Sequence, residues 1–335
     1  MEANKNRKIT IYQKQVCKKI QNMPKFMTVV RTLLHFIRPK VRNLRYYAKC
    51  RLGRAKYRNV FYLVFVPNKK HPGLADRIKA IISCYDLAKS NGYQFKLFFE
   101  TPFHLSKYLK SKYDWEATLE DLEYSLRDTR IVDEHYREEL LRLMPDKQYH
   151  CYNYDGHHMP RIFPDTGYKF AELFHELFEP CEDLKQAYSD FGIKEKGYVS
   201  CHLRFVNALE KFENTFFENY LETQEERNAL IERCKEGIRR VMKKNQGKDV
   251  YVFSDSKIFL DSLSDMPVKV LPHDNIGHVS EGTKEDATFK SFLDLYVMAR
   301  GIAVYRFCAP ELYSISHYAL LAATVGDIPF DDIKV

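Results

Sequence analysis

Residues 196–207 read Lys-Gly-Tyr-Val-Ser-Cys-His-Leu-Arg-Phe-Val-Asn, and this composition describes a strand buried on both faces of a parallel sheet. Tyr198, Val199, Cys201, Leu203, Phe205 and Val206 are apolar and mostly β-prone. Ser200, His202 and Arg204 fall at every second position, so they share one side of that strand. A guanidinium placed there needs an anionic partner. Two partners suit it. One is an internal carboxylate; the other is phosphate, because Arg204 lies near the strand's carboxyl end, where open α/β sheets bind ligands.

Working outward, the chain alternates strands and helices. Asn59–Val66 reads as the first strand, Leu74–Asn91 as a helix, Phe95–Phe99 as a strand, Phe103–Leu109 as a short helix, and Arg130–Val132 and Tyr149–Tyr154 as further strands. Phe170–Tyr188, broken by Pro180, bridges to the second half. Beyond residue 207 a helix is expected from about Glu218 to Lys244, then Asp249–Phe253 as a strand and Ile258–Leu263 as a helix. Val268–Leu271 follows as a strand, Ala287–Arg300 as a helix, Ala303–Phe307 as a strand and Ser316–Val325 as the last helix. The fold class is therefore α/β, with two Rossmann-like parallel-sheet domains facing across a cleft. The expected division is a basic extension over 1–57, an N-terminal domain over 58–190 and a C-terminal domain over 191–335.

The 335 residues, 45% hydrophobic and 14% aromatic, exclude general disorder. Residues 1–60 carry 17 Lys/Arg and one acid, Glu2, a local charge of +16 against +8 for the whole chain. Within this arm, Pro24 can open a helix with Phe26, Met27, Val30, Leu33, Leu34 and Ile37 on one face, flanked by Lys25, Arg31, Arg38, Lys40 and Arg42. Such a helix suits an anionic membrane surface or packing on the body. Nucleic acid is not an expected partner, for want of a reading module. No apolar run of spanning length and no signal peptide appears, and the eight cysteines form no C-x-x-C pair. A cytoplasmic protein, peripheral on the inner face of the membrane, is expected; its oligomeric state is not addressed by the sequence.

There is no P-loop and no Asp-x-Asp, so phosphates must be met by protein groups rather than by a metal on paired carboxylates. His157-His158 matches no zinc spacing, and no metal or other cofactor is expected. Arg204 can hold two phosphate oxygens, His202 or a serine can add a hydrogen bond, and the last helix offers free N–H groups at Ser316.

Four places resemble the fucosyltransferase superfamily of protein O-fucosyltransferases, core α1,6-fucosyltransferases, nodulation fucosyltransferases and bacterial polysaccharide enzymes. Pro72-Gly-Leu-Ala-Asp-Arg-Ile78 is similar to the glycine-rich x-Asp-Arg opening after the first strand. Cys201-His-Leu-Arg204 resembles the His-x-Arg motif, and Val250–Ser256 resembles the strand ending in Ser-Asp that faces the nucleotide. Leu293-Asp294 through Phe307 is similar to the helix and strand before the family's serine cluster. The likeness covers roughly residues 58–330. The chain departs from the pattern at Cys308-Ala-Pro310, with serines delayed to Ser314 and Ser316, and at Phe205, where a basic residue often follows the arginine.

The resemblance implies a GT-B fold and inverting, metal-independent transfer of fucose from GDP-fucose. The acceptor would be a cell-surface polysaccharide, lipopolysaccharide or lipid-linked glycan; a non-catalytic binding relative, or a transferase using another nucleotide sugar, is the alternative. Arg204 is then the catalytic group on the β-phosphate, and Glu210 and Glu213 are candidate bases in the loop after the motif strand. His202, Asn207, Ser254, Ser314 and Ser316 are donor-side contacts. Asp255 either accepts from a guanine N–H or caps the helix near Lys257. Gly73, Asp76 and Arg77 sit at the mouth of the first helix, with pairing of Asp76 to Arg77 or Lys79 as the internal option.

Overall fold

A computed structural model of the protein describes residues 44–66, 73–132, 143–152, 170–210, 219–272 and 285–335. The helix expected over Pro24–Ile37, and with it most of the basic arm, lies outside these residues, as do His157 and His158.

The first sheet is built from β1 (Val60–Phe65), β2 (Gln94–Phe99), β4 (Thr129–Val132) and β5 (Gln148–Cys151), in the order β2-β1-β5-β4 and parallel throughout. Helix α1 (Leu74–Ser90) makes the crossover from β1 to β2 and buries Ile78, Ile81, Ile82 and Leu87. The second sheet contains β7 (Tyr198–Leu203), β8 (Asp249–Ser254), β9 (Val304–Cys308) and β10 (Phe330–Lys334), ordered β10-β9-β7-β8, again all parallel. Alternation along β7 is as expected. Val199, Cys201 and Leu203 pack under α4 (Gln224–Lys244), leaving Ser200 and His202 for the other face. Helix α4 starts later than expected because Thr223 and Glu226 close a reciprocal capping box.

Three expectations change. The short helix over Phe103–Leu109 shrinks to a 3-10 turn, Leu105–Lys107, and β3 (Leu109–Ser111) then pairs antiparallel with β6 (Phe178–Pro180) between α2 (Phe170–Leu177) and α3 (Glu182–Asp190). The strand over Val268–Leu271 is reduced to one bridge between Tyr251 and Lys269, since the Val268 amide turns back to Met266. Strand β10 escapes the apolar pattern because it is an edge carrying Asp331 and Asp332.

The two sheets share a core. One apolar cluster runs from Phe61 on β1 to Val325 at the end of α7 (Tyr318–Gly326), taking in Leu293 and Val297 of α6 (Glu285–Ala299). Tyr108 stacks on Phe292 with ring centroids 4.6 Å apart and planes 5° apart. Gly326 allows α7 to meet α6: a Cβ there would lie 2.1 Å from the Ala299 carbonyl oxygen. Residues 44–57, assigned from sequence to the extension, also pack on the body. Tyr46 stacks on Tyr152 at 4.1 Å, and the Ser125 hydroxyl donates to the Gly53 carbonyl at 2.5 Å.

Candidate active site

Arg204 follows the last residue of β7, its side chain 17% exposed, with Nη1 3.3 Å from Oδ2 of Asp255. Asp255 stands at the equivalent place after β8. Its Oδ1 accepts from the Phe205 amide at 2.7 Å and its Oδ2 from the Val206 amide at 2.8 Å. These bonds fix a turn in which Val206 has φ of 58°, a left-handed conformation that costs a β-branched residue of order 1–3 kcal/mol. Burial raises the Asp255 carboxyl above its ordinary value, against the opposing pull of Arg204 and the two amides. Arg204 therefore meets an internal carboxylate while standing at the ligand-binding edge of the sheet.

Asp255 does not take the capping role expected of it. Its oxygens accept from two backbone amides and face Arg204. The cap of α5 (Lys257–Asp261) is Ser256, whose Oγ accepts from the Phe259 amide. Ser254 Oγ accepts from the Ser256 amide at 3.2 Å. Glu210 is drawn to the same helix start: its Oε1 accepts from Ser256 Oγ at 2.9 Å and the Ile258 amide at 3.5 Å. Glu213 lies outside the described residues.

The loops after β7 and β9 are stitched together. The Tyr313 amide donates to the Arg204 carbonyl at 2.8 Å. Asn219 Nδ2 donates to both the Phe205 and Glu311 carbonyls at 2.7 Å, and its Oδ1 accepts from the Asn207 amide at 3.3 Å. Ser314 Oγ donates to the Ala309 and Leu312 carbonyls, so it serves its own turn. Ser316 Oγ accepts from the Tyr318 amide at 3.4 Å, and its carbonyl accepts from Arg306 Nη1 at 2.8 Å. Arg306 is held in turn by a two-pronged pair with Asp332.

His202 is 5% exposed, and its ring lies 5.5 Å from that of Tyr318. Burial, helped by the nearby Arg204 and Arg306 charges, lowers the imidazole to about 3, so it is neutral at pH 7. Its Nδ1 is buried with no hydrogen-bond partner among the described residues.

The N-terminal half contributes the start of α1. Gly73 is its cap residue, and its carbonyl accepts from the Asp76 and Arg77 amides. Arg77 is 3% exposed and lies over Phe99 at the carboxyl end of β2, 5.9 Å from the ring centroid. Asp76 pairs with Lys79, as the internal option had it, and reaches further. Its Oδ1 is 3.5 Å from Nδ1 of His317 in the other half, and Lys79 Nζ is 2.9 Å from that same nitrogen. Burial would raise the Asp76 carboxyl, but hydrogen bonds from His317 and Lys79 outweigh it and hold it at about 2. Because α1 and α7 start beyond the carboxyl ends of β1 and β9, this contact joins the ligand-binding edges of both sheets.

No family model and no curated protein sequence matches the chain. Its arrangement does superpose on solved structures. The fucosyltransferase NodZ from Bradyrhizobium aligns with a TM-score of 0.52 at 14% identity, over 80% of this chain and 92% of that one. In fold, the chain is similar to NodZ. NodZ α-1,6-fucosyltransferase co-crystallized with GDP gives a TM-score of 0.51 at 14% identity, with the same coverage. The form soaked with GDP-fucose gives 0.50 at 13%, over 79% and 92% of the two chains. The NodZ-like fold bears out the GT-B architecture expected from the sequence. Asn219, Arg306 and His317 stand in this candidate site without having been singled out, and Lys79 was named only as an internal partner of Asp76. Lys79 lies three residues after Asp76 and His317 directly before the last helix, whereas the loop position of Asn219 carried no signal.

Proposed function

We propose that the chain is a glycosyltransferase that moves fucose from GDP-fucose to a polysaccharide, lipopolysaccharide or lipid-linked glycan. The observation that carries this is Arg204, a guanidinium fixed at the carboxyl end of β7 in a fold similar to that of NodZ, which has been crystallised with GDP and soaked with GDP-fucose. As the sugar–phosphate bond breaks, charge grows on the β-phosphate, and a cation already aimed there stabilises that charge more than it stabilises the bound donor. His202 stays neutral and buried beside it, and the first turn of α7 supplies backbone donors. Attack by the acceptor from the opposite face inverts the anomeric carbon. Glu210 and Glu213 are the candidate bases, and the engagement of Glu210 at α5 favours Glu213. The basic arm would hold the enzyme on an anionic inner leaflet, near a lipid-borne acceptor.

Thermal shift with GDP, UDP, CMP and phosphate, followed by a transfer assay with GDP-fucose, tests this reading, since a ligand that binds the native state raises Tm with its concentration. GDP alone should stabilise the chain, and EDTA should leave turnover unchanged. Stabilisation by UDP and not GDP would overturn the donor, and loss of activity in EDTA would overturn metal independence. The competing reading, a binding protein without turnover, draws on the commitment of Ser314 and Glu210 to neighbouring groups; GDP binding without transfer would favour it.

A further inference from the structure

We propose that the cavity enclosed by α2, α3, the β3–β6 pair and the carboxyl-terminal ends of α6 and α7 binds a single-chain anionic amphiphile, an alkyl or isoprenyl chain that ends in a carboxylate or a phosphate. The site is separate from the donor edge and does not depend on the donor reading. Lys196 lines it ahead of β7 and Arg204 follows that strand, so six residues at about 3.3 Å each set the two ends roughly 20 Å apart. The cavity measures about 270 Å³, just below the range of about 300–1,000 Å³ usual for small-molecule sites, which suits one chain rather than a branched or multi-ring ligand. Phe174, Phe178, Leu184, Phe292 and Leu295 form its apolar wall, each no more than 4% exposed. Hydrocarbon laid against them leaves water, the main driving force for such binding.

Charge at the mouth sets the head group. Glu195 and Glu179 also line the cavity, but both are matched: Arg300 Nη2 lies 2.5 Å from Glu195 and Lys185 Nζ 3.7 Å from Glu179. Lys112 and Lys196 line it too, both are exposed, and no carboxylate pairs with either among the described residues. His175 registers the same excess of positive charge. Its Nε2 donates to the Val325 carbonyl at 2.9 Å. Burial, then the Lys112 and Arg300 charges, lower the imidazole against the pull of that bond, so it stays neutral at pH 7. An anionic head at the two lysines and a hydrocarbon chain on the aromatic wall satisfy mouth and interior together. The basic arm is the wrong occupant, because residues 1–43 hold eleven Lys/Arg and one acid and would bring like charge to the lysines.

Calorimetry on the full chain with hexyl, octyl and decyl phosphate, kept below micelle-forming concentrations, tests the proposal. Affinity should rise about fourfold per methylene until the cavity is filled. Decyltrimethylammonium, with the same chain and the opposite charge, should bind at least about tenfold more weakly than decyl phosphate. The double variant Lys112→Gln with Lys196→Gln should lose about five- to tenfold in affinity for decyl phosphate while its Tm stays that of wild type. In ¹⁵N-histidine spectra the His175 resonance, assigned with His175→Asn, should titrate at higher pH once decyl phosphate is bound, since an anion offsets the lysine charge. Decanoate in place of decyl phosphate tells a fatty acid from a lipid phosphate as the source of the head. Absence of binding by both, affinity indifferent to chain length, equal binding of the ammonium, or an unmoved His175 resonance each overturns the proposal. Removing residues 1–43 should leave the affinity unchanged; tighter binding by the shortened chain would make the arm the occupant and overturn it as well.

Discussion

Arg204 has two duties that mutation separates. It compensates the buried Asp255 carboxylate, and in the proposed reaction it also meets the departing phosphate. Arg204→Ala should reduce transfer by about 10²–10³, as loss of a transition-state donor does, and lower stability by about 1–3 kcal/mol as Asp255 loses its cation. Arg204→Lys should regain stability and little turnover, because a point charge lacks the two-pronged geometry. Turnover and Tm of both variants decide this, and near-normal transfer by the alanine variant would remove Arg204 from the mechanism. Two buried histidines set a different dependence. His150 and His202 are lowered by burial to about 3 from an ordinary 6.5. Unfolded chains take up these protons first as pH falls below 6.5, so their share of stability is full above that value and is lost on the way down to 3. Urea titrations between pH 5 and 6.5, where ordinary carboxylates remain largely ionised, should show stability falling with pH. His202→Gln and His150→Gln should each flatten the slope, and a slope indifferent to both would contradict the buried neutral state.

Among the elements, the start of α5 gives Glu210 a structural partner. Glu210 bonds the Ser256 hydroxyl and the Ile258 amide, so Glu210→Ala should cost about 1 kcal/mol of stability and leave turnover within a few-fold of wild type, whereas Glu213→Gln should abolish transfer. Lost turnover at unchanged stability in the Glu210 variant would return Glu210 to the chemistry. The sequence made β1, β2, β7, β8 and β9 readable because each is a short apolar run ended by a polar or turn residue, and their order implied parallel sheets. Strand β10 was not readable, since an edge strand with two aspartates lacks that pattern. His202, Arg204 and Asp255 were legible as polar groups at strand ends. Their partners were not: the Asp255 bonds depend on the left-handed turn at Val206, and Lys79 meets His317 across 238 positions.

The whole molecule is joined by an apolar cluster that passes from β1 to α7, so both halves should unfold in one transition, with calorimetric and van't Hoff enthalpies equal. Two resolved melting events would show the halves to be independent. Tyr46 and Gly53 are bound to the body, which sets where the arm can be removed. Deleting residues 1–43 should leave Tm and transfer to a soluble acceptor nearly intact. It should also reduce sedimentation with anionic vesicles severalfold, and added salt should weaken the binding of the full chain, exposed charges being screened over about 8 Å at physiological ionic strength. Equal sedimentation of both forms would place membrane attachment elsewhere. The stacking of Tyr108 on Phe292 across the halves has a further consequence. Halves pinned together by this stack keep a set gap, which in the proposed reaction would make the cleft a calliper for the thickness of the incoming glycan. Linear acceptors should outpace branched ones that carry the same terminal sugar, and equal rates would mean the halves swing apart after all.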